Sequence, residues 1–330
     1  MNVQVPDIYF LPEWGKFFET KEAGGEWRVF ETENEKGHVY YQFIVRPTPV
    51  QVDGARYSDI ITPYGFSGPI ILKCEEGQRQ QLAAEFQEQF QRYCEEERIV
   101  SEYIRFNPWL RNRLDFEDYY EFRDNGHTLY IDLTGEDYFM EQFSSSSRRQ
   151  VRKAVKNNVS IELDFTGESA SEFHRLYDLT ARKNNIEDYY LFSLESLHAS
   201  FEVFKGKQFF INAIHEGSYI SSSLILHHGD YMHYHLAAND PSAYPLAGNS
   251  LVISEACRWG VENGKKELHL GGAGSDENLY RFKRNFTKAP PLELLMGKKI
   301  RMPEAYDQLS EAKKAQEGIK HPGYFPLYRG

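Results

Sequence analysis

The chain has 330 residues, 41% hydrophobic and 15% aromatic, which is enough apolar material for two globular cores. Its net charge of −11 excludes a broadly basic, nucleic-acid-coating surface but leaves room for a local basic patch. No apolar run approaches the ~18 residues of a membrane span, the opening MNVQVPDIYFLPEW lacks a secretory leader, and Cys74, Cys94 and Cys257 show no metal-ligand spacing. A cytoplasmic protein with reduced thiols and no resident metal is the expectation.

In chain order, Pro12 opens a short helix to about Thr20, whose Trp14, Phe17 and Phe18 pack on their own domain. Residues 27–33 and 38–47 read as a hairpin about Asn34–Gly37, and 57–61 as a further strand. The strand runs into a rigid aromatic loop, Tyr64-Gly65-Phe66-Ser67-Gly68-Pro69. Residues 77–98 give the clearest amphipathic helix of the first half, with Leu82, Phe86, Phe90 and Cys94 four apart. A strand at 101–106 ends at Asn107-Pro108. Residues 119–122 and 128–133 then read as a hairpin about Asp124-Asn125-Gly126.

The second half begins with a short helix at 136–143. A serine-capped helix follows, carrying Arg148, Arg149, Arg152, Lys153 and Lys156. Next come a strand at 160–165, helices at 169–184 and 194–204, and a meander of strands at 209–215, 219–227 and 231–238. Pro241, Pro245 and Gly248 break the chain before a helix capped by Asn249 or Ser250, which ends near Asn263 with Gly264 as its stop. A short strand, 267–270, meets Gly271-Gly272-Ala273-Gly274, where backbone N–H groups can point outward. A helix follows with Leu279, Phe282 and Phe286 on its buried side and Lys283 at the edge of that face. A strand at 290–302, a helix at 303–317 and an aromatic tail complete the chain.

Several residues invite chemistry on their own. Serine caps, a helix N-terminus and guanidinium forks together favour an anion near Arg148, Arg149 and Arg152. Asp59, ahead of the aromatic loop, can orient or deprotonate a nucleophile, or simply form the turn. His233 and His235 alternate on one strand and with His269 raise a metal site, against which stands a pocket-lining role for His235. The sequence contains no nucleophile elbow, Walker loop or zincin spacing.

The stretch 233–286 resembles the FemABX family, the branch of GNAT-like acyltransferases that includes the peptidoglycan bridge-forming aminoacyltransferases. The likeness rests on His235-Leu236, Leu246-Ala247-Gly248-Asn249-Ser250, Leu268-His269-Leu270-Gly271-Gly272 and, above all, Phe282-Lys283-Arg284-Asn285-Phe286. It implies two tandem GNAT-like domains, each a mixed, mostly antiparallel sheet flanked by helices. The first would hold residues 1–143, with 298–330 returning to it, and the second 144–297. The order of elements repeats between the halves, as a duplication would; a single large sheet is the competing arrangement.

The resemblance further implies an acyltransferase without a covalent enzyme intermediate. An acyl or aminoacyl group would pass to an amine or hydroxyl of a nucleotide-sugar or lipid-linked precursor of cell wall or surface polysaccharide. Phe282 and Lys283 would stand at the reacting centre, the lysine as a cation for the developing oxyanion. Arg149 and Arg152 would hold an acceptor diphosphate. Tyr64, Arg105 and Asn107 would wall the acceptor cleft. Gly248, Asn249 and Ser250, with Gly271 and Gly272, would hold the donor. That donor is acyl-CoA or aminoacyl-tRNA, with no permanently bound cofactor. The run Tyr244–Ser250 lacks the leading Arg or Gln and second glycine of acyl-CoA enzymes, and no helical-hairpin arm appears. A non-catalytic nucleotide-sugar-binding or envelope-assembly protein of the same fold is the alternative.

Overall fold

The computed structural model describes residues 4–52, 54–184, 187–274 and 276–330. They form two compact units. The first holds Tyr9–Gly126 and Glu293–Gly330, and the second holds Pro6–Ile8 and His127–Leu292.

The first unit opens with α1 (Pro12–Phe18). Proline is tolerated at its first position because that N–H has no intrahelical partner. Trp14 and Phe18 are buried, so the aromatic run packs on its own unit. β1 (Glu26–Asn34) and β2 (Gly37–Pro47) form the expected hairpin. β2 also pairs antiparallel with β3 (Ser58–Ile61) and β4 (Ile70–Cys74). β4 escapes sequence reading because three apolar residues between Pro69 and Lys73 are too few to show a period. α2 (Arg79–Glu96) leads to β5 (Ile99–Arg105), which lies parallel to β3. Leu82, Phe86, Phe90 and Cys94 of α2 are all fully buried, as their spacing dictates.

The hairpin expected about Asp124-Asn125-Gly126 is instead one long strand, β6 (Glu121–Asp132). The turn chemistry is real but local: Asp124 Oδ1 accepts the Gly126 N–H at 2.8 Å, and Gly126 has φ +85°. Residues 128–132 pair with a strand far downstream rather than folding back on 119–122.

The second unit continues with α3 (Tyr138–Glu141), α4 (Ser145–Lys156), β7 (Ser160–Asp164), α5 (Ala170–Asn184) and α6 (Leu194–Val203). β8 (Gln208–His215), β9 (Ser218–His228) and β10 (Tyr231–Asn239) form an antiparallel meander, with β7 added at its edge. α7 (Gly248–Glu262) crosses over to β11 (Glu267–Gly272), and α8 (Glu277–Arg284) follows. The strand order is β6-β11-β10-β9-β8-β7. Leu129, Ile131, Phe209, Ile211, Met232 and Leu268 meet Val151, Val252 and Ala256 of α4 and α7 in one core.

The chain then returns to the first unit as β12 (Leu292–Ile300), antiparallel to β5, and α9 (Pro303–Gln316). Arg301, between them, is buried against Glu102 of β5, and its guanidinium also reaches Gln91 and Gln87 at 3.1 and 3.0 Å. Burial opposes the Arg301 charge, but Glu102, with smaller contributions from Tyr120 and Cys94, more than offsets this, and the Arg301 pKa ends above the ordinary guanidinium value. Each unit is thus a mixed, mostly antiparallel sheet flanked by helices. Among the described residues, no helix is long and apolar enough to cross a membrane.

Candidate active site

In the second unit, β10 and β11 are parallel neighbours over three residue pairs only, ending at His233↔His269. Just beyond, each strand carries an irregularity against its other neighbour. β10 skips a residue at His235, between Tyr234↔Ile225 and Leu236↔Leu224. β11 skips one at Leu270, between His269↔Tyr130 and Gly271↔Leu129. Such bulges bend a strand and re-aim its groups. Past His233 and His269, the facing backbone groups of the two strands are not spent on a common ladder, which leaves an opening at the carboxyl end of the pair.

Two helices feed this end. α7 begins at Gly248 behind Ala247, which sits at φ +61°, and no side chain caps it. A side chain at position 248 would come within 3.0 Å of Ile220 and 3.3 Å of Ala213, so glycine lets the helix start lie against β8 and β9. The N–H groups and dipole of this 15-residue helix favour an anionic group there. Asn249 is half-buried and Ser250 buried; neither is the cap expected from sequence, because the left-handed Ala247 already turns the chain.

α8 carries Lys283. Asp276 caps the helix by accepting the Asn278 and Leu279 N–H groups at 2.9 and 3.0 Å. The Phe282 ring lies 5.2 Å from that of Phe286, which meets Phe143 edge-on at 5.1 Å, fixing the end of the helix to the core. Lys283 Nζ donates to the Gly272 carbonyl at 2.6 Å. The expected faces are partly reversed. Leu279 is 38% exposed, Phe282 is half-buried, and Lys283 is the buried residue of the helix. Burial pulls its pKa down to about 8. Gly271, at φ +71°, would place a side chain at ordinary contact distance, 3.7 Å, from Lys283 Nζ, so its backbone rather than its space calls for glycine. Lys283, Gly271 and Gly272 are therefore together at the end of β11.

Arg149 and Arg152 lie exposed on α4, Arg152 over the Phe139 ring. The start of α4 is partly satisfied from within. Ser144 Oγ accepts the Ser147 N–H, while Ser144 N–H and Ser147 Oγ both donate to the Asn285 carbonyl, at 2.8 and 2.6 Å. Arg148 Nη1 is spent on the Phe143 carbonyl at 2.6 Å. An anion at α4 would thus meet the arginine side chains rather than a bare helix end.

His235, half-buried at its bulge, lies 6.3 Å from Phe192. The bulge interrupts the alternation with His233 that sequence reading assumed. Instead, His233 shares a 2.8 Å hydrogen bond with Asp7 and stacks on His269 at 5.4 Å. Burial, and then His233, hold the His269 pKa well below the usual imidazole value. Among the described residues, no group of three or more His, Cys, Asp or Glu is arranged to hold a metal ion. The Asp7–His233 pairing gives no sequence signal, because the partners are 226 residues apart and Asp7 lies in an unpatterned stretch.

The remaining candidates lie in the first unit. Asp59 is fully buried between two guanidinium groups, with Oδ1 held by Arg46 at 2.9 Å and Oδ2 by Arg329. Both oxygens are engaged by guanidinium groups, a geometry that suits a structural anion better than the orienting or proton-accepting role raised from the sequence. Tyr64 stacks on Phe18 at 5.2 Å, and its carbonyl accepts from Trp14 at 2.6 Å. Arg105 ends β5, and Asn107 lies two residues beyond it. Here the gap between parallel β3 and β5 is closed by the chain's own loop: Ser67 N–H donates to the Arg105 carbonyl at 2.8 Å, and Arg105 N–H to Thr62 Oγ1 at 3.1 Å. Asn107 Nδ2 and Ser67 Oγ are buried with no hydrogen-bond partner among the described residues.

Residues 142–284 match the family model described as an acetyltransferase (GNAT) domain. No curated protein sequence matches the chain. Among solved structures, FemX is similar at 12% identity, covering 91% of this chain and 94% of that one with a TM-score of 0.68. L-PGS from Bacillus licheniformis is similar at 16% identity, with coverages of 87% and 91% and a TM-score of 0.53. The C-terminal domain (DUF2156) of a putative lysylphosphatidylglycerol synthetase from Agrobacterium fabrum follows at 13%, 86%, 90% and 0.53. At these identities the structural likenesses establish the fold. Residues 142–284, the lysine-bearing unit, thus match a GNAT-type acetyltransferase domain, and the chain as a whole is similar in fold to FemX.

Proposed function

We propose that the second unit transfers an acyl group from a coenzyme A thioester to an amine or hydroxyl of a phosphate-bearing precursor of cell wall or surface polysaccharide. The observation that carries this reading is Lys283, a buried cation hydrogen-bonded to Gly272 beside the opening between β10 and β11. The donor's phosphates would lie at the start of α7, by Gly248, Asn249 and Ser250. The acceptor's lone pair attacks the thioester carbonyl carbon, and the carbonyl oxygen takes up the negative charge. Lys283 has three N–H donors and spends one on Gly272, so it can donate to that oxyanion. Collapse re-forms the carbonyl and breaks the C–S bond. The thiolate leaves, and the acceptor releases its proton to solvent. Arg149 and Arg152 would hold the acceptor's phosphates. The reading uses residues of the second unit alone.

A thermal-shift titration with acetyl-CoA tests the donor. At ~100 times Kd a bound ligand adds roughly 2.7 kcal/mol of stability, a rise of several degrees. A saturable shift is expected. No shift at millimolar ligand would refute the thioester donor and leave aminoacyl-tRNA in its place.

A further inference from the structure

On α4, Arg149, Arg152, Lys153 and Lys156 are spaced i, i+3, i+4 and i+7, so they form one face of the helix, and all four are exposed. The helix contains no acidic residue, and none of the four has a carboxylate partner among the described residues. That is unusual in a chain of net charge −11, whose other basic side chains are widely paired. Exposed aliphatic residues flank this cationic face. Val155 is 60% exposed and Met140 is 51% exposed. Met140 lies near the start of the helix, where its carbonyl accepts from Arg148 Nη1 at 3.3 Å.

Cations alone would suit any polyanion. Aliphatic side chains beside them favour a surface with an apolar layer just beneath its charge, because a nucleic-acid backbone offers nothing for Val155 or Met140 to enter. We infer that this face of α4 seats the second unit on a bilayer rich in anionic phospholipid, with Lys153 and Lys156 at the lipid phosphates and Val155 and Met140 in the headgroup boundary, while Arg149 and Arg152 stay with the acceptor. The chain's overall negative charge does not forbid this, because exposed charges more than about 8 Å away are largely screened at physiological salt. The acyl-transfer reading is not needed for this contact. Lys153, Lys156, Val155 and Met140 take no part in the proposed reaction.

Co-sedimentation of the full chain with phosphatidylcholine vesicles, with and without phosphatidylglycerol, tests it. Binding is expected only to the anionic vesicles and weakens as salt rises. The double variant Lys153→Gln/Lys156→Gln should lose roughly 30-fold in affinity at low salt, each cation being worth about a factor of five. Its melting temperature should match that of the parent, because both lysines are exposed. No sedimentation with anionic vesicles at low salt would overturn the inference, as would binding that the double variant leaves intact. Tighter binding of mixed tRNA than of vesicles, lost in the same variant, would assign the face to nucleic acid and likewise overturn it. Arg149→Ala assayed on a water-soluble phosphorylated acceptor tests the catalytic reading separately.

Discussion

Replacing Lys283 by methionine should make the protein more stable and inactive. Burial lowers the lysine's pKa from the usual 10.5 to about 8. A pKa displaced by one pH unit corresponds to about 1.4 kcal/mol, so holding the charged form in the folded state costs about 3 kcal/mol at pH 7. The hydrogen bond to the Gly272 carbonyl goes with the lysine, but that carbonyl is only half-buried and can turn to water. A net gain of about 1–2 kcal/mol is therefore expected at pH 7. The sign with pH follows from the lowered pKa. Below pH 8 the charge penalty is complete. As pH rises from 8 towards 10.5 the folded state loses its proton first, so the wild type becomes more stable while the variant has nothing to titrate. Between pH 7 and 9.5 the variant's advantage should shrink by about 2 kcal/mol. Urea unfolding of both proteins at the two pH values measures this. Parallel midpoints across the range, or a variant less stable at pH 7, would refute the claim that the lysine is held as a strained, buried cation. Acyl transfer by the variant should fall ~100-fold or more, and wild-type activity should decline above pH 8 as the cation is lost.

Two further outcomes concern the first unit. Glu102→Ala removes the carboxylate that compensates buried Arg301 and should cost roughly 3–5 kcal/mol, read from denaturant midpoints, whereas the exposed pair Arg92–Glu88 should be worth less than about 1 kcal/mol. Asp59→Asn keeps the shape but leaves Arg46 and Arg329 short of a charge partner. Melting temperature should drop, while acyl transfer per folded molecule, measured by titrating active protein, should hold; a selective loss of turnover would restore Asp59 as a base.

The legible parts of the chain were those with local patterning. The i, i+4 apolar run of α2, the serine cap of α4 and the meander turns at Gly217 and Gly229 each fix their element within a few residues. Phe282-Lys283 and the Gly271-Gly272 strand end were legible as a motif, and they come together through one hydrogen bond. What sequence missed was set by distant partners. β6 runs straight through an Asp-Asn-Gly signal because downstream β11 offers its second half a partner. The bulges at His235 and Leu270 follow from a neighbour's register, which no local window contains. Asp59 looked like chemistry because the guanidinium groups that neutralise it come from 13 residues upstream and 270 downstream.

The return of the last segment to the first unit has a temporal meaning. Emerging from a ribosome, β5 presents the fully buried Glu102 some 200 residues before its partner Arg301 exists. Ser101 likewise waits for Tyr328, 227 residues later. The second unit is complete in sequence once Leu292 has emerged, so it can reach its native state while the first is still missing β12 and α9. The first-begun unit is the last to finish. Until then it holds an unpaired carboxylate and the uncovered edge of β5, a surface that chaperones or neighbouring chains can grasp.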